Sequence, residues 1–217
     1  MPRVSLATAT ADVAARDAAL ARLIEAAGPF RPRAKNPDGH FGALVRAIAF
    51  QQLAGAAATA IHGRFRNLVD GPLTPESVLA LREEDMRAVG LSNAKTASIR
   101  DLAAKVADGT VVLGSGVNRQ SDEEVITRLS TVRGIGRWTA EMFLLFELRR
   151  LDVWPVDDLG VRQGYGLTFG HAPAPTAKEL GPLGDRFRPY RSIVAWYCWQ
   201  AVHLHRAGIP LADLSLR

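Results

Sequence analysis

One stretch constrains the fold more than any other: LSTVRGIGRWTAEMFLLFELRRLDVWPVDDLGVRQ, residues 129–163. A polar–apolar helical pattern runs into Arg133-Gly134-Ile135-Gly136-Arg137, and helix-forming residues resume at once with Trp138-Thr139-Ala140-Glu141. Two glycines one residue apart let the backbone turn through positive φ and let another molecule approach bare N–H groups. Some of those groups begin the next helix, whose dipole favours an anion. Arg133 and Arg137 flank the turn, so a nucleic-acid phosphate is the natural anion for it. The pattern predicts a helix from Arg137 to Arg150, roughly 20 Å long. The chain then turns at Trp154-Pro155 and delivers Asp157 and Asp158 to the mouth of the next helix. Backbone phosphate grip, rigid spacer and carboxylate form one device.

Length and composition narrow the setting. A chain of 217 residues fits one domain, or two small lobes sharing a cleft, and 47% apolar residues suffice for a core. The net charge of +5 suits a polyanion. The single cysteine, Cys198, leaves no internal disulfide and no cysteine-built zinc or iron–sulfur site. Neither a signal-peptide core at the N-terminus nor a membrane-spanning run is present, so the expectation is a reduced, cytoplasmic, bacterial-type protein.

No segment shows strand alternation, and the reading is all-α with about ten helices. Residues 1–10 read as a loose tail, followed by a helix from Ala11 to Ala27 that Gly28-Pro29 ends. A basic, turn-rich link leads to a helix over Phe41–Phe50, which breaks at Gln51-Gln52 before an alanine-rich helix from Gly55. Thr74-Pro75-Glu76 starts a helix to Val89, and Ser92 starts another to Ala107. Ser121 opens the helix that feeds the hairpin. Leu159–Phe169 is helical but weakened by Gly160, Gly164 and Gly166, and the last long helix runs from about Tyr190 to Ala207.

Val-Arg-Gly-Ile-Gly-Arg-Trp-Thr-Ala followed by Asp-Val-Trp-Pro-Val-Asp-Asp resembles the helix-hairpin-helix, Gly/Pro...Asp superfamily of DNA base-excision glycosylases. Within it the chain is most similar to the compact 3-methyladenine DNA glycosylase II branch. The match extends back to Phe41–Leu53 and forward to Pro189–Trp199, so it covers most of the chain beyond residue 35. The resemblance implies two helical lobes around a cleft: one of about residues 36–150, including the hairpin over 129–150, the other of about 1–35 plus 151–217. It implies a monomeric enzyme that binds double-stranded DNA carrying a damaged base and does not engage membranes. The resemblance implies that this enzyme extrudes an alkylated purine and hydrolyses its N-glycosidic bond in base excision repair.

Matched to the family motif position by position, Asp158 takes the catalytic role and Asp157 is left as the helix cap. Trp138 stands where lyase-competent relatives carry the Schiff-base lysine, so the amine is replaced by an aromatic wall. Trp138, Trp199, Met142 and Phe50 are assigned to the base pocket, where stacked rings favour a cationic alkylpurine. Gln52 is assigned to plug the vacated hole with Leu53 beside it. Ser92, Lys95, Arg133, Gly134, Gly136, Arg137 and Thr139 are assigned to the DNA backbone. The resemblance also implies a structural Na⁺ or K⁺ on the carbonyls of Ser130, Val132 and Ile135, with no iron–sulfur cluster and no cofactor required. Two rival readings stay open: a non-catalytic helix-hairpin-helix module, which has no use for Asp158 or the aromatic pair, and a bifunctional glycosylase/lyase, against which Trp138 argues.

Overall fold

The structure is a computed structural model, and it describes residues 4–209. Its described residues form twelve α-helices with no strand, and the chain separates into two compact units. The first unit comprises the chain up to Arg33 together with the chain from Arg149 onward, and the second is Ala34–Leu148.

The first unit opens with α1 (Leu6–Arg16) and α2 (Ala18–Ala27). The sequence pattern suggested a loose start followed by one helix here, and the structure differs on both points. Ser5 caps α1 through its side chain, and Ala9 and Val13 are fully buried, so apolar burial recruits the segment into the fold. Asp17 then interrupts the helical run, because its extended backbone lets its carboxylate accept the N–H groups of Ala19 and Leu20.

The second unit carries α3 (Gly39–Phe50), α4 (Gly55–Arg66), α5 (Pro75–Leu79), α6 (Glu83–Ala88), α7 (Asn93–Ala107), α8 (Asp122–Leu129) and α9 (Arg137–Met142). Leu44, Ile48, Phe65, Met86, Ile99, Leu102 and Leu144 are among its fully buried side chains. The single helix expected between Thr74 and Val89 is two short ones, α5 and α6. The helix expected from Arg137 to Arg150 is also corrected. After α9 the chain widens into a π-helical turn over Phe143–Glu147, closed by Leu148 N–H on the Phe143 carbonyl at 3.1 Å. The wider turn buries Phe143, Leu144, Leu145 and Glu147. Arg149 then adopts φ +56°, which ends the helix.

Back in the first unit, α10 (Leu159–Phe169), α11 (Ala177–Leu183) and α12 (Arg191–Arg206) close the core around Trp154, Tyr165, Phe187 and Tyr197. The glycines of α10 serve packing. A Cβ on Gly164 would lie 1.9 Å from the backbone oxygen of Cys198, so α10 and α12 touch backbone to backbone there. None of the described helices is long and apolar enough to cross a membrane.

Candidate functional site

The hairpin links α8 to α9 through Ser130–Gly136. Val132 and Ile135 point into the second unit, 2% and 3% exposed, and the Ile135 N–H closes the turn on the Val132 carbonyl at 3.0 Å. Arg133, Gly134, Gly136, Arg137 and Trp138 face outward. Only Gly134 needs the left-handed region, with φ +76°; Gly136 sits at φ −97° as the N-cap of α9. A Cβ on Gly134 would lie 2.8 Å from Ser98 Oγ, whereas one on Gly136 would meet nothing within 4 Å. The first glycine is therefore required by the protein, while the second keeps an outward approach open.

A brace from α7 holds this turn. Asp101 Oδ2 accepts the Arg133 N–H at 2.7 Å and the Lys105 ammonium at 2.8 Å, and that ammonium also donates to the Thr131 carbonyl. Burial alone would raise the Asp101 carboxyl, but these hydrogen bonds and the charges of Lys105 and Arg133 hold it below the usual carboxylate range. One of the supposedly bare hairpin N–H groups, that of Arg133, is thus already satisfied from within. Several assigned backbone contacts also have protein partners. Arg137 pairs with Glu123 and lies 3.8 Å from Glu141, so its guanidinium already has carboxylate partners. Thr139 is buried at 7% exposure, so the outward surface at that position belongs to its neighbours. Ser92 caps α7, its Oγ accepting the Lys95 N–H at 3.3 Å. Lys95 is not part of a solvated helix start: its ammonium donates to the Ala49 carbonyl at 2.8 Å, and desolvation pushes its pKa down.

That carbonyl belongs to the end of α3, where the chain turns through Gln51–Ala54 into α4. Gln52 takes φ +56°, a conformation that costs a non-glycine residue about 1 kcal/mol or more. Gln52 and Leu53 are both exposed, Leu53 at 39%, so neither sits in the core. Phe50 is less available than its pocket assignment implies, because the Arg46 guanidinium lies 3.9 Å from its ring centroid and His62 meets it edge-on. Met142 is half-buried at the end of α9, and Trp138 is 45% exposed.

The carboxylate site lies in the first unit. Asp158, not Asp157, is the N-cap of α10, its Oδ1 accepting the Val161 N–H at 2.8 Å. Asp157 is exposed. The division of labour expected within the acid pair is therefore corrected: capping geometry requires the acid immediately before Leu159, and that is Asp158. The same Oδ1 accepts the indole N–H of Trp199 from α12 at 2.9 Å. Gly160 makes room for this pair, since a Cβ there would lie 2.7 Å from Trp199 Cδ1 and 3.1 Å from Asp158 Oδ1. Leu159 stands next to the carboxylate, 59% exposed. Cys198, one residue before Trp199, is no nucleophile: burial pushes its thiol far up, and the nearby Asp158 charge adds to the effect. Among the described residues no group of three or more His, Cys, Asp or Glu side chains could hold a metal ion.

Known proteins are similar to this chain. The family described as "HhH-GPD superfamily base excision DNA repair protein" matches residues 45–184, a span that contains the hairpin and Asp158. DNA-3-methyladenine glycosylase 1 of Schizosaccharomyces pombe is 37% identical over 186 residues, covering 84% of this chain and 82% of the relative. The chain belongs to the HhH-GPD superfamily of base excision DNA repair proteins. Two solved structures resemble it over most of its length. The 3-methyladenine DNA glycosylase of S. pombe in complex with abasic DNA has a TM-score of 0.79 at 35% identity, covering 88% of this chain and 95% of that one. The DNA-3-methyladenine glycosidase of Bacillus halodurans has a TM-score of 0.84 at 33% identity, covering 94% of each chain.

For an HhH-GPD protein, the supports around the motif are as informative as the motif. Sequence reasoning missed Gly160, Asp101, Lys105 and Ser98, which hold the carboxylate and the hairpin in place. The spacing of Lys95, Ser98, Asp101 and Lys105, at intervals of three and four, places them on one face of α7 and could have signalled the brace. Arg191 and Ser192, quoted only as part of a motif, fasten the segment that leads to Asp158. Arg191 donates to the Asp152 carboxylate at 2.8 Å, and Ser192 Oγ accepts the Val153 N–H at 2.9 Å.

Proposed function

We propose that this chain is a monofunctional DNA glycosylase that extrudes alkylated purines of the 3-methyladenine type from duplex DNA and hydrolyses their N-glycosidic bond. The observation that carries the reading is the Asp158–Trp199 pair, a buried carboxylate oriented by an indole N–H and a helix N-terminus. Alkylation gives the purine a positive charge. The C1′–N bond breaks with its electron pair passing to the base, which leaves neutral and needs little general acid. The sugar left behind is an oxocarbenium-like cation, and the Asp158 carboxylate stabilises it. Water adds its oxygen to C1′ and gives up a proton, and the products are free base and an abasic site.

Capping and catalysis are compatible in one residue. Two N–H donors fix the orientation of Asp158 through Oδ1, so the carboxylate is preorganised before charge develops. Leu159 and Trp199 border it, an aliphatic and an aromatic surface for a planar cationic base. Trp138 supplies a ring and no amine, so no Schiff base forms with the sugar.

The grip on DNA is assigned to the outward hairpin face from Arg133 to Trp138. The plug is assigned to the exposed turn at Gln52 and Leu53. Leu53 is the better wedge of the two, since its apolar side chain gains by leaving water between base pairs whereas the Gln52 amide does not. The carbonyls of Ser130, Val132 and Ile135 are a hard, all-oxygen donor set suited to Na⁺ or K⁺, which would add positive charge beside a phosphate. The chain is proposed to act as a monomer, without a cofactor, in the compartment that holds the genome. The test is release of labelled bases from methylated duplex DNA, resolved by chromatography. Free alkylpurine supports the reading, and DNA binding without base release would install the non-catalytic module in its place.

A further inference from the structure

The turn proposed as the plug and the hairpin proposed as the phosphate grip are tied together by a residue that neither role has claimed. Gln51, half-buried between Phe50 and the plug residues, donates its side-chain N–H to the Gly134 carbonyl at 2.9 Å. Gly134 is the left-handed residue of the hairpin. The end of α3 that leads into the same turn is held by Lys95, whose ammonium sits on the Ala49 carbonyl at 2.8 Å. Lys95 and the hairpin brace share α7: Ser98 abuts Gly134, Asp101 takes the Arg133 N–H, and Lys105 donates to the Thr131 carbonyl. A closed ring results, running from α7 through Lys95 to the end of α3, through Gln51 to the hairpin, and back to α7. Gln52, the residue after the ring leaves the chain at Gln51, takes φ +56°.

We infer that Gln51 is a positioning residue that fixes the plug turn at a set distance from the phosphate grip, so that gripping the backbone aims Leu53 into the helix. The inference rests on the assignments of grip and plug made above. It predicts a specific split. Loss of the Gln51 donor leaves the hairpin braced by Asp101, Lys105 and Ser98, so undamaged DNA is still gripped. What suffers is insertion of the plug and everything that follows it.

The experiment uses Gln51→Met, which keeps volume and removes the donor, alone and together with Leu53→Ala. Base extrusion is read from the brightening of 2-aminopurine as it unstacks in a duplex, independently of any lesion chemistry. Single-turnover release of an alkylpurine and the dissociation constant for undamaged duplex are measured beside it. Gln51→Met should slow brightening and base release about fivefold, the typical net value of one part-exposed hydrogen bond, with undamaged-duplex affinity changed less than about twofold. In the Leu53→Ala background the same change should have almost no further effect, because the element being aimed is gone. A wild-type rate of brightening in Gln51→Met overturns the inference. So does an undiminished effect in the Leu53→Ala background, or a loss of undamaged-duplex affinity as large as the loss of extrusion. If the wild-type protein brightens the probe but releases no alkylpurine, the substrate assignment fails while this inference stands.

Discussion

Replacing Asp158 separates two tasks performed by one side chain. Asp158→Asn keeps an oxygen that can accept from Val161 N–H and Trp199 Nε1–H, now 2.8 and 2.9 Å away, and asparagine caps helices as well as aspartate does. The folded state then loses only the favourable interaction of a charge with the helix dipole, about 0.3–1 kcal/mol. Catalysis loses an anion beside a developing cation, about 3 kcal/mol or more, which is a hundredfold or greater fall in rate. Asp158→Ala removes the acceptor itself. The missing cap costs about 1 kcal/mol and the stranded Trp199 N–H about 1–2 more, so the melting temperature should fall by roughly 4–12 °C. Asp157→Asn, on an exposed side chain, should change stability by no more than about 0.5 kcal/mol and leave turnover intact. Single-turnover base release and thermal unfolding on the three variants read both quantities. Near-normal turnover by Asp158→Asn would refute the electrostatic role, and a catalytic defect in Asp157→Asn would move the chemistry to the neighbouring acid.

Gly134→Ala forces a methyl group into φ +76° and to within 2.8 Å of Ser98 Oγ, so it should lower both the melting temperature and affinity for every duplex, damaged or not. Gly136→Ala has open space around its Cβ and should weaken DNA binding with little thermal effect; melting curves and dissociation constants on undamaged duplex check both. Gly160→Ala should push the Trp199 indole off Asp158 and slow base release at least tenfold, about 1.4 kcal/mol, with affinity for undamaged duplex nearly unchanged. The Asp101 brace has a pH signature. Because its folded-state pKa is depressed, its stabilising contribution is complete above the unfolded value of about 3.9 and is lost as pH falls through the lowered folded value. Asp101→Asn should therefore unfold with a flatter stability profile below about pH 4 than the parent protein.

The hairpin and the acid were legible because each is a local pattern: two glycines in three residues, and two acids after Trp154-Pro155. The all-helical class followed from periodicity in the same way. Which acid caps was not legible, because both are good caps and only the register of α10 decides between them. The split at Asp17 was hidden for a related reason, since the apolar spacing continues through it while the side chain bonds forward to Ala19 and Leu20. The π-helical turn after Met142 depends on how much of Phe143–Glu147 the core can take in, a tertiary quantity. Glycines 160 and 164 looked like helix weaknesses and are contact points, for Trp199 and for the α12 backbone. The contacts of Gln51, Lys95 and Asp101 span up to 83 residues of sequence; the spacing along α7 marks a shared polar face, but nothing local names the partners that face meets.

The central claim is hydrolysis at Asp158 with no amine taking part. The most direct test incubates the wild-type protein with methylated duplex DNA, resolves the released bases, and follows the strand and the protein in the same reaction with borohydride present. The account predicts free alkylpurine, a strand that stays whole until hot alkali cuts it at the abasic site, and no covalent protein–DNA adduct. Efficient borohydride trapping, or strand cleavage before alkali, would contradict it and make the enzyme a lyase.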